Sequence, residues 1–552
     1  VSRLHEIFDQ ANGGFGGAPK FPHAPTLEFL LRTAVLVPGS AAERQCVDML
    51  TSTLEAMAAG GIYDHLLGGF ARYSVDAQWI IPHFEKMLYD NAQLARTYLR
   101  AGQVLDRKDF TEVAIEVLDY LDTAMADEQG AVHSAEDADS EGVEGKFAVW
   151  TWDELGAILG EDGRRLAAAI YGATEHGNFE GANNLHRFAD LESVATAEGI
   201  DRAELLSRKE AIDQRLTEAR NRRMPPARDD KIVTSWNSLA MRAFAEAGRV
   251  LGEDRFLDRA RRIARFLLQE ASPNDALVRS WRDRPGHTAF ADDHAALALG
   301  LYSLYQATGE EEWFTAAERH VAELRQRFAA DGGGFHATPS DGESLINRPF
   351  NAQDNPTPSD NALAMEALQI HAAFTLDTEA FTEIEATMAR LATQALAHPA
   401  FGGYSLAVWL THLTGMREVA IVGDDGTLAQ AMWDSFVPDA VIATGDGGPT
   451  VVPLLDGRTA IDGSRTAYVC EDFVCALPVH DRRSLERHLD RRSREVLPHA
   501  CGRGGRAERL GRRGKGAGKA IGPPGISGHG LPDGLPVSHL ARSRTWGWRS
   551  GS

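Results

Sequence analysis

Three groups of residues in this sequence have the types and spacing to do acid–base chemistry on a small polar ligand. The first is the string GGIYDHLLGGFARYSVDAQWIIPHFEKMLYDNA at 60–92, which gathers Tyr63, Asp64, His65, Arg72, Tyr73, Asp76, Trp79, His83 and Glu85. Pro82 suits a first helical turn, and that would leave His83 and Glu85 beside unpaired backbone N–H groups. The helix dipole there favours a carboxylate and nudges a histidine toward neutral, as a general base requires. A plain helix cap at Glu85 and a surface His83 fit the same residues. The second group is HSAEDADSEGVEGKFAVWT at 133–151, where Asp137, Asp139 and Glu141 alternate. The spacing fails the calcium-loop pattern, which needs a closing Glu twelve residues from its start. Paired carboxylates such as Asp137 and Asp139 can instead supply acid and base or hold sugar hydroxyls, and a solvated acidic loop is the alternative. The third group consists of helix starts: Trp236 with Asn237, then Asp292, Asp293 and His294, then Asp360 with Asn361. Ser235, Asp292 and Asp360 each suit an N-cap. Two acids followed by a histidine exceed what one cap needs, which singles out Asp293 and His294. No GxSxG, HExxH or Ser-His-Asp order is present, so a hydrolase triad and a zinc protease lack support.

These groups need elements to bring them together, and up to about residue 415 those elements read as helices. In FEKMLYDNAQLARTYL the positions Phe84, Met87, Leu88, Ala92, Ala95, Tyr98 and Leu99 fall at the three-and-four spacing of one helix face. Similar stripes run through 26–37, 46–58, 110–125, 235–251, 256–268, 294–309, 311–328, 360–374 and 380–396. Such a succession predicts a helical repeat. Gly-rich turns recur between the stripes, as GGFGG at 13–17, GGF at 68–70, EQGAVH at 128–133, GGGFH at 332–336 and GGY at 402–404, each read as a small hairpin. If outer helix, hairpin and inner helix repeat in that order, all inner helices start at one end of a ring. Their polar first residues then converge on the mouth of a central pit. From 416 the pattern changes to strand, helix, strand, a small α/β appendage over 416–478 without a nucleotide-binding glycine motif. The remainder, 479–552, is rich in Arg and Gly and poor in apolar residues, and is expected to be disordered, as a basic arm or as out-of-frame read-through.

At 552 residues the chain exceeds the size of one ordinary core, so it is several domains or a closed repeat. The net charge of −22 argues against nucleic acid or an anionic membrane as a partner. No apolar run approaches the length of a membrane span, and the opening VSRLHEIFDQ has no signal-peptide pattern, so a cytoplasmic location is the expectation. Four cysteines are too few for a disulfide framework, and the spacing of Cys470 and Cys475 matches neither a redox CxxC nor a zinc site; both are read as buried thiols. No metal or cofactor is expected.

Several long strings, GGFGGAPKFPHAPTLEFLL, the whole 60–95 stretch, SAEDADSEGVEGKFAVWT, DDKIVTSWNSLAM and TAYVCEDFVCALP, resemble the spermatogenesis-associated, thioredoxin-domain-containing family over residues 10–478. The resemblance implies a mainly α fold for 1–415, an (α/α)6 toroid similar to six-hairpin glycosidases and N-acylglucosamine 2-epimerases. Family members carry a thioredoxin-like domain ahead of it, and the expectation is that this chain lacks one. By fold analogy the toroid implies a carbohydrate-active enzyme, an epimerase or glycosidase, with a small-molecule sugar substrate. In that reading His83 or His294 shuttles protons, with Glu85, Asp137, Asp139 and Asp293 assisting. Tyr63, Asp64, His65, Arg72, Trp79, Trp236, Asn237, Asp360 and Asn361 then bind the substrate, with Trp79 and Trp236 stacking on the sugar. The alternative is a non-catalytic module that binds a ligand or protein partner.

Overall fold

The apolar stripes become helices arranged in two concentric layers. A computed structural model describes residues 1–490 except 344, 345, 472 and 473; most of the basic Gly/Arg-rich tail expected over 479–552 lies outside the described residues. The helices in chain order are α1 (Ser2–Ile7), α2 (Ala24–Leu36), α3 (Ala41–Ala59), α4 (Leu88–Leu105) and α5 (Lys108–Thr123). Next come α6 (Trp152–Tyr171), α7 (Leu191–Glu198) and α8 (Arg202–Arg220), then α9 (Thr234–Leu251), α10 (Asp254–Gln269), α11 (Ala291–Thr308) and α12 (Glu311–Arg327). The set ends with α13 (Asp360–Thr375), α14 (Thr378–Ala397), α15 (Gly403–Thr414), α16 (Thr427–Trp433) and α17 (Arg482–Leu489).

Inner and outer helices differ in how much of their surface is apolar. All of α11 is buried except Asp292, Gln306 and Thr308, whereas α12 buries one stripe, Trp313, Phe314, Ala317, His320, Val321 and Leu324. The inner helices pack in the order α2, α4, α9, α11, α13, α15 and back to α2, a closed ring. Behind them stand α3, α5, α10, α12 and α14, each following its inner helix in sequence. This is an (α/α)6 toroid. Closure rests on Gly403, because a Cβ there would lie 2.7 Å from the Thr26 Cα of α2. The GGY string read as a hairpin is therefore the first turn of α15. The other Gly-rich strings do form hairpins, seen as the isolated bridges Phe8–Phe15, Tyr63–Phe70, Ala126–Val132 and Ala329–Phe335.

Three of these hairpins are held by asparagines at the starts of inner helices. Asn91 accepts from Phe70 N at 2.7 Å and donates to Phe70 O at 3.0 Å. Asn237 does the same to Val132 at 2.8 and 2.9 Å, and Asn361 to Phe335 at 2.7 and 3.1 Å. A carboxamide carries a donor and an acceptor side by side, so it fits the N–H and C=O of one extended residue. All three are fully buried. Asn237 and Asn361, expected to bind substrate, are thus clamps between hairpin and helix.

The ring's lumen is filled by ionised groups. Arg32 pairs with Glu28 and Glu366, Arg96 with Glu28 and Glu246, Arg100 with Glu246, and Arg242 with both Glu246 and Glu366. Tyr404 donates to Glu366, and Arg32 to Thr411. Burial alone would raise the three carboxyls, but the guanidinium groups around them hold Glu28, Glu246 and Glu366 below the usual range.

Two additions dress the ring. Helices α6–α8 form an insertion with its own core of Trp150, Leu155, Ile170, Tyr171, Leu205 and Leu216, for which the helical periodicity named no element. The appendage is a four-stranded sheet in which Arg417–Val422 pairs parallel with Ala440–Gly445 and antiparallel with Thr466–Glu471. It extends past the expected boundary at 478, since α17 buries Leu485 and Leu489 and Arg417 Nη1 donates to Leu489 O at 2.6 Å. The register sets Cys470 opposite Cys475, and the two form a disulfide in place of the expected buried thiols; Cys475 is exposed. Among the described residues no helix is long and apolar enough to cross a membrane.

Replacing Asn237 by Leu leaves the Val132 N–H and C=O buried without partners and is expected to lower the unfolding free energy by about 1–3 kcal/mol. Asp139→Asn on an exposed hairpin is expected to change it by less than about 0.5 kcal/mol. Denaturant melts of the two variants check this; equal effects would remove the clamp.

Candidate functional site at the mouth of the ring

The starts of the inner helices meet at one end. Ser235 N of α9 donates to Asp293 Oδ1 of α11 at 3.1 Å. Gln93 Nε2 of α4 reaches Pro356 O, in the segment leading to α13, at 2.9 Å.

The 72–87 segment enters this mouth as extended chain. Tyr73–Ser74 pairs with Pro82–His83, and Lys86–Met87 pairs with Ala135–Glu136, before α4 begins at Leu88. Pro82, Phe84, His83 and Glu85 thus precede the helix they were expected to open, because their backbone is committed to strand pairing. Alternation then sorts the side chains. His83 and Glu85 share a face with Arg72 and Tyr73, while Pro82, Phe84 and Lys86 line a separate cleft. His83 stacks on Tyr73 with ring centroids 5.0 Å apart, and its Nδ1 lies 2.7 Å from Glu144 Oε1. Glu85 accepts from Arg72 Nη1 at 3.0 Å.

The later start of α4 places Tyr89 and Asp90 in its first turn. Asp90 is buried, its Oδ2 has no hydrogen-bond partner among the described residues, and burial with the nearby Glu85 raises it well above the usual carboxylate range against the pull of Arg72. Tyr89 packs edge-on against half-buried Trp236 with centroids 4.7 Å apart.

A second set of carboxyls lies at the starts of α11 and α13. Arg279 Nη1 holds Asp292 at 2.7 Å and Asp293 at 3.0 Å. Asp360 accepts from Asn351 Nδ2 at 2.7 Å; burial and the charge of Asp292 push it up to about 7, opposed by that hydrogen bond and by Arg279. Asp292 keeps some solvent access, with 18% of its side chain exposed. A carboxyl raised toward neutrality beside a second carboxyl paired with a guanidinium is the arrangement that divides acid from base.

The other expected residues lie elsewhere. Asp293 is fully buried and caps α11, accepting from Ser235 N and from Phe290 N at 2.9 Å. His294 is buried against Phe328, with its Nδ1 3.1 Å from His320 Nδ1, and burial pushes it down to about 3. It is a neutral core residue, 2% exposed. Trp79 is wholly buried with Nε1 donating to Asn12 O at 3.0 Å, so it ties two loops together and has no face for a sugar. Tyr63, Asp64, His65 and Asp137 line the separate cleft of about 670 Å³ beneath the insertion. Asp64 there is neutralised by Lys86 at 2.9 Å and Arg220 at 3.0 Å, and His65 is pushed down to about 3 by burial. Asp139 is exposed on the hairpin Asp139–Glu144. The mouth thus brings together Arg72, His83, Glu85, Trp236 and Asp360. Tyr89, Asp90, Arg279 and Asn351 join them unforeseen: the misplaced helix start hid the first two, and no local pattern marks the others.

A closed ring of six inner helices whose polar starts share one mouth defines the class as a six-hairpin α/α toroid. No protein-family model matches the chain. Human spermatogenesis-associated protein 20 is 31% identical across 88% of this chain and 68% of its own length. An uncharacterized Caenorhabditis elegans protein is 30% identical, covering 88% and 72%. The chain belongs to the spermatogenesis-associated protein 20 family. Similar solved structures include cellobiose 2-epimerase from Bacillus thermoamylovorans (TM-score 0.42, 11% identity, 75% of this chain and 84% of that one). The GH76 α-mannanase of Bacteroides thetaiotaomicron is another (TM-score 0.44, 10% identity, 75% and 93%).

The raised Asp360 has a stability consequence. In the unfolded chain its carboxyl ionises near pH 4, whereas in the fold it keeps its proton to about 7, so it lowers stability progressively as pH rises between those values and no further above them. Asp360→Asn is expected to gain stability relative to the parent over that window, by at most about 1.4 kcal/mol per pH unit. Parallel melting curves for the two proteins from pH 4.5 to 8 would contradict the shift.

Proposed function

We propose that the mouth of the ring binds a carbohydrate and performs general acid–base chemistry on it. The observation that carries this reading is the pairing of Asp360, pushed up to about 7, with Asp292, which Arg279 Nη1 contacts at 2.7 Å. Asp360 acts as the acid and Asp292 as the base. Asp90 supplies a second buried carboxyl, raised above the usual range, and the half-buried Trp236, braced by Tyr89, offers an aromatic face to a sugar ring. Arg72, His83 and Glu85 orient hydroxyl groups at the rim. Asp293, His294, Asp137 and Asp139 have no part in this assignment. A cytoplasmic setting, and coupling to a thioredoxin-like domain in longer family members, belong to the same reading.

One observation favours a second reading, a binding module without turnover. The segment before α13 spans toward α4 through the Gln93–Pro356 bond and covers part of the mouth.

Incubating the protein with mono- and disaccharides in D2O separates the two, with NMR detecting deuterium exchange at the sugar and a reducing-end assay detecting hydrolysis. Asp360→Asn and Asp292→Asn are each expected to lower kcat about 10²–10⁴-fold, and Trp236→Ala to raise KM. Because Asp360 must carry its proton, the parent's rate should fall as pH rises through about 7. Binding without exchange or hydrolysis selects the second reading, and turnover unaffected by both aspartate changes ends the first.

A further inference from the structure

A second cavity lies at the other side of the ring, where the appendage covers the C-terminal halves of the inner helices. Its walls include Arg96, Arg100, Gln369 and Trp433 beside the paired carboxylates Glu246 and Glu366, with Ile370 and Phe436 as apolar surface. The appendage is fixed over it by Gln306 Oε1 accepting from Ile442 N at 3.1 Å and by Gln103 Nε2 donating to Trp433 O at 2.7 Å.

This cavity carries an uncompensated positive charge. The lumen network sets four guanidinium groups, Arg32, Arg96, Arg100 and Arg242, against three carboxylates, Glu28, Glu246 and Glu366. The shortfall is localised. Carboxylates raise Arg32, Arg96 and Arg242, but in Arg100 burial outweighs its one partner, Glu246, and pulls the guanidinium down. Arg100 spends Nε on Glu246 and Nη1 on Gln103, and Arg96 spends Nε on Glu246 and Nη1 on Glu28; their Nη2 groups donate to no acceptor among the described residues. Two further donors in the wall are idle. Gln369, 1% exposed, has Nε2 unpartnered, and so does Nε1 of buried Trp433. Buried donors such as those of Gln369 and Trp433 are uncommon without a ligand or water to accept from them. The inner helices also present their negative dipole ends here, so guanidinium charge must supply the attraction for an anion.

We infer that this cavity binds a small monoanionic organic acid, its carboxylate accepting from Arg96, Arg100, Gln369 and Trp433 and its carbon body packed against Phe436 and Ile370. The single excess charge selects a monoanion, and the aromatic rings stacked on Arg100, Trp433 at 5.5 Å and Phe436 at 5.3 Å, give the site an apolar side. Nothing in this assignment depends on turnover at the mouth.

The test is calorimetry and thermal shift on the full chain with sodium benzoate, butyrate, phosphate and chloride at matched ionic strength. Benzoate or butyrate is expected to raise Tm saturably and to bind once per chain. Gln369→Leu and Trp433→Phe, which leave the charge network intact, are each expected to weaken that binding at least tenfold while keeping the native circular dichroism, and Arg100→Met to abolish it. No saturable carboxylate binding overturns the inference, and so does binding that both neutral variants retain. Tighter binding of phosphate overturns the monocarboxylate assignment. A chloride effect that carboxylates do not exceed reduces the site to an adventitious ion only.

Discussion

The lumen of this ring is a space that apolar side chains alone do not fill, and seven ionised groups occupy it. Each carboxylate of Glu28, Glu246 and Glu366 is shared between guanidinium groups from different helices, so α2, α4, α9 and α13 are tied at their waists, with α15 joined through Tyr404 and Thr411. Such a network contributes little net stability over an apolar core of the same volume, because desolvation offsets most of the attraction. Its effect is positional. Removing any of the three carboxylates strands buried positive charge at a cost of about 3–5 kcal/mol, so the helices have few alternative registers, and the residues at their starts inherit that fixity.

Above the network, the mouth is assembled from pieces that are individually ordinary. Asparagine clamps seat three hairpins on the helix starts, and the hairpins and extended segments carry Arg72, His83 and Glu85 to the rim. Carboxyls at the first turns of α11 and α13 are then close enough to disturb one another's ionisation, and Asp90 in the first turn of α4 is raised by burial and by Glu85. Below the network, the same guanidinium groups face the appendage. One barrier of charge therefore separates two chemically different spaces, an acidic mouth and a cationic floor.

Much of the fold was written locally. Three-and-four apolar spacing marks the ring helices because a helix packed in two layers must be apolar on one face or all round, and the strand–helix–strand order of the appendage is equally plain. Within the insertion, α8 has almost no apolar asymmetry, burying only Leu205, Ile212, Leu216 and Arg220, so periodicity does not mark it.

The sequence by itself determined ten of the ring's helices, four of its hairpins, the family and the end of the ring where polar residues gather; α15, whose first turn is the GGY string, was not among them. It did not determine which of those residues face the opening. Asp292 and Asp293 are neighbours of one type, yet a rotation of about 100° per residue sends one to the mouth and the other into a cap. Asn237 and Asn361 carry the same polar chemistry as a ligand-binding amide and are consumed by backbone. The ionisation of Asp90 and Asp360 depends on burial and on charges carried by segments outside their own helices, quantities that exist only once the ring has closed.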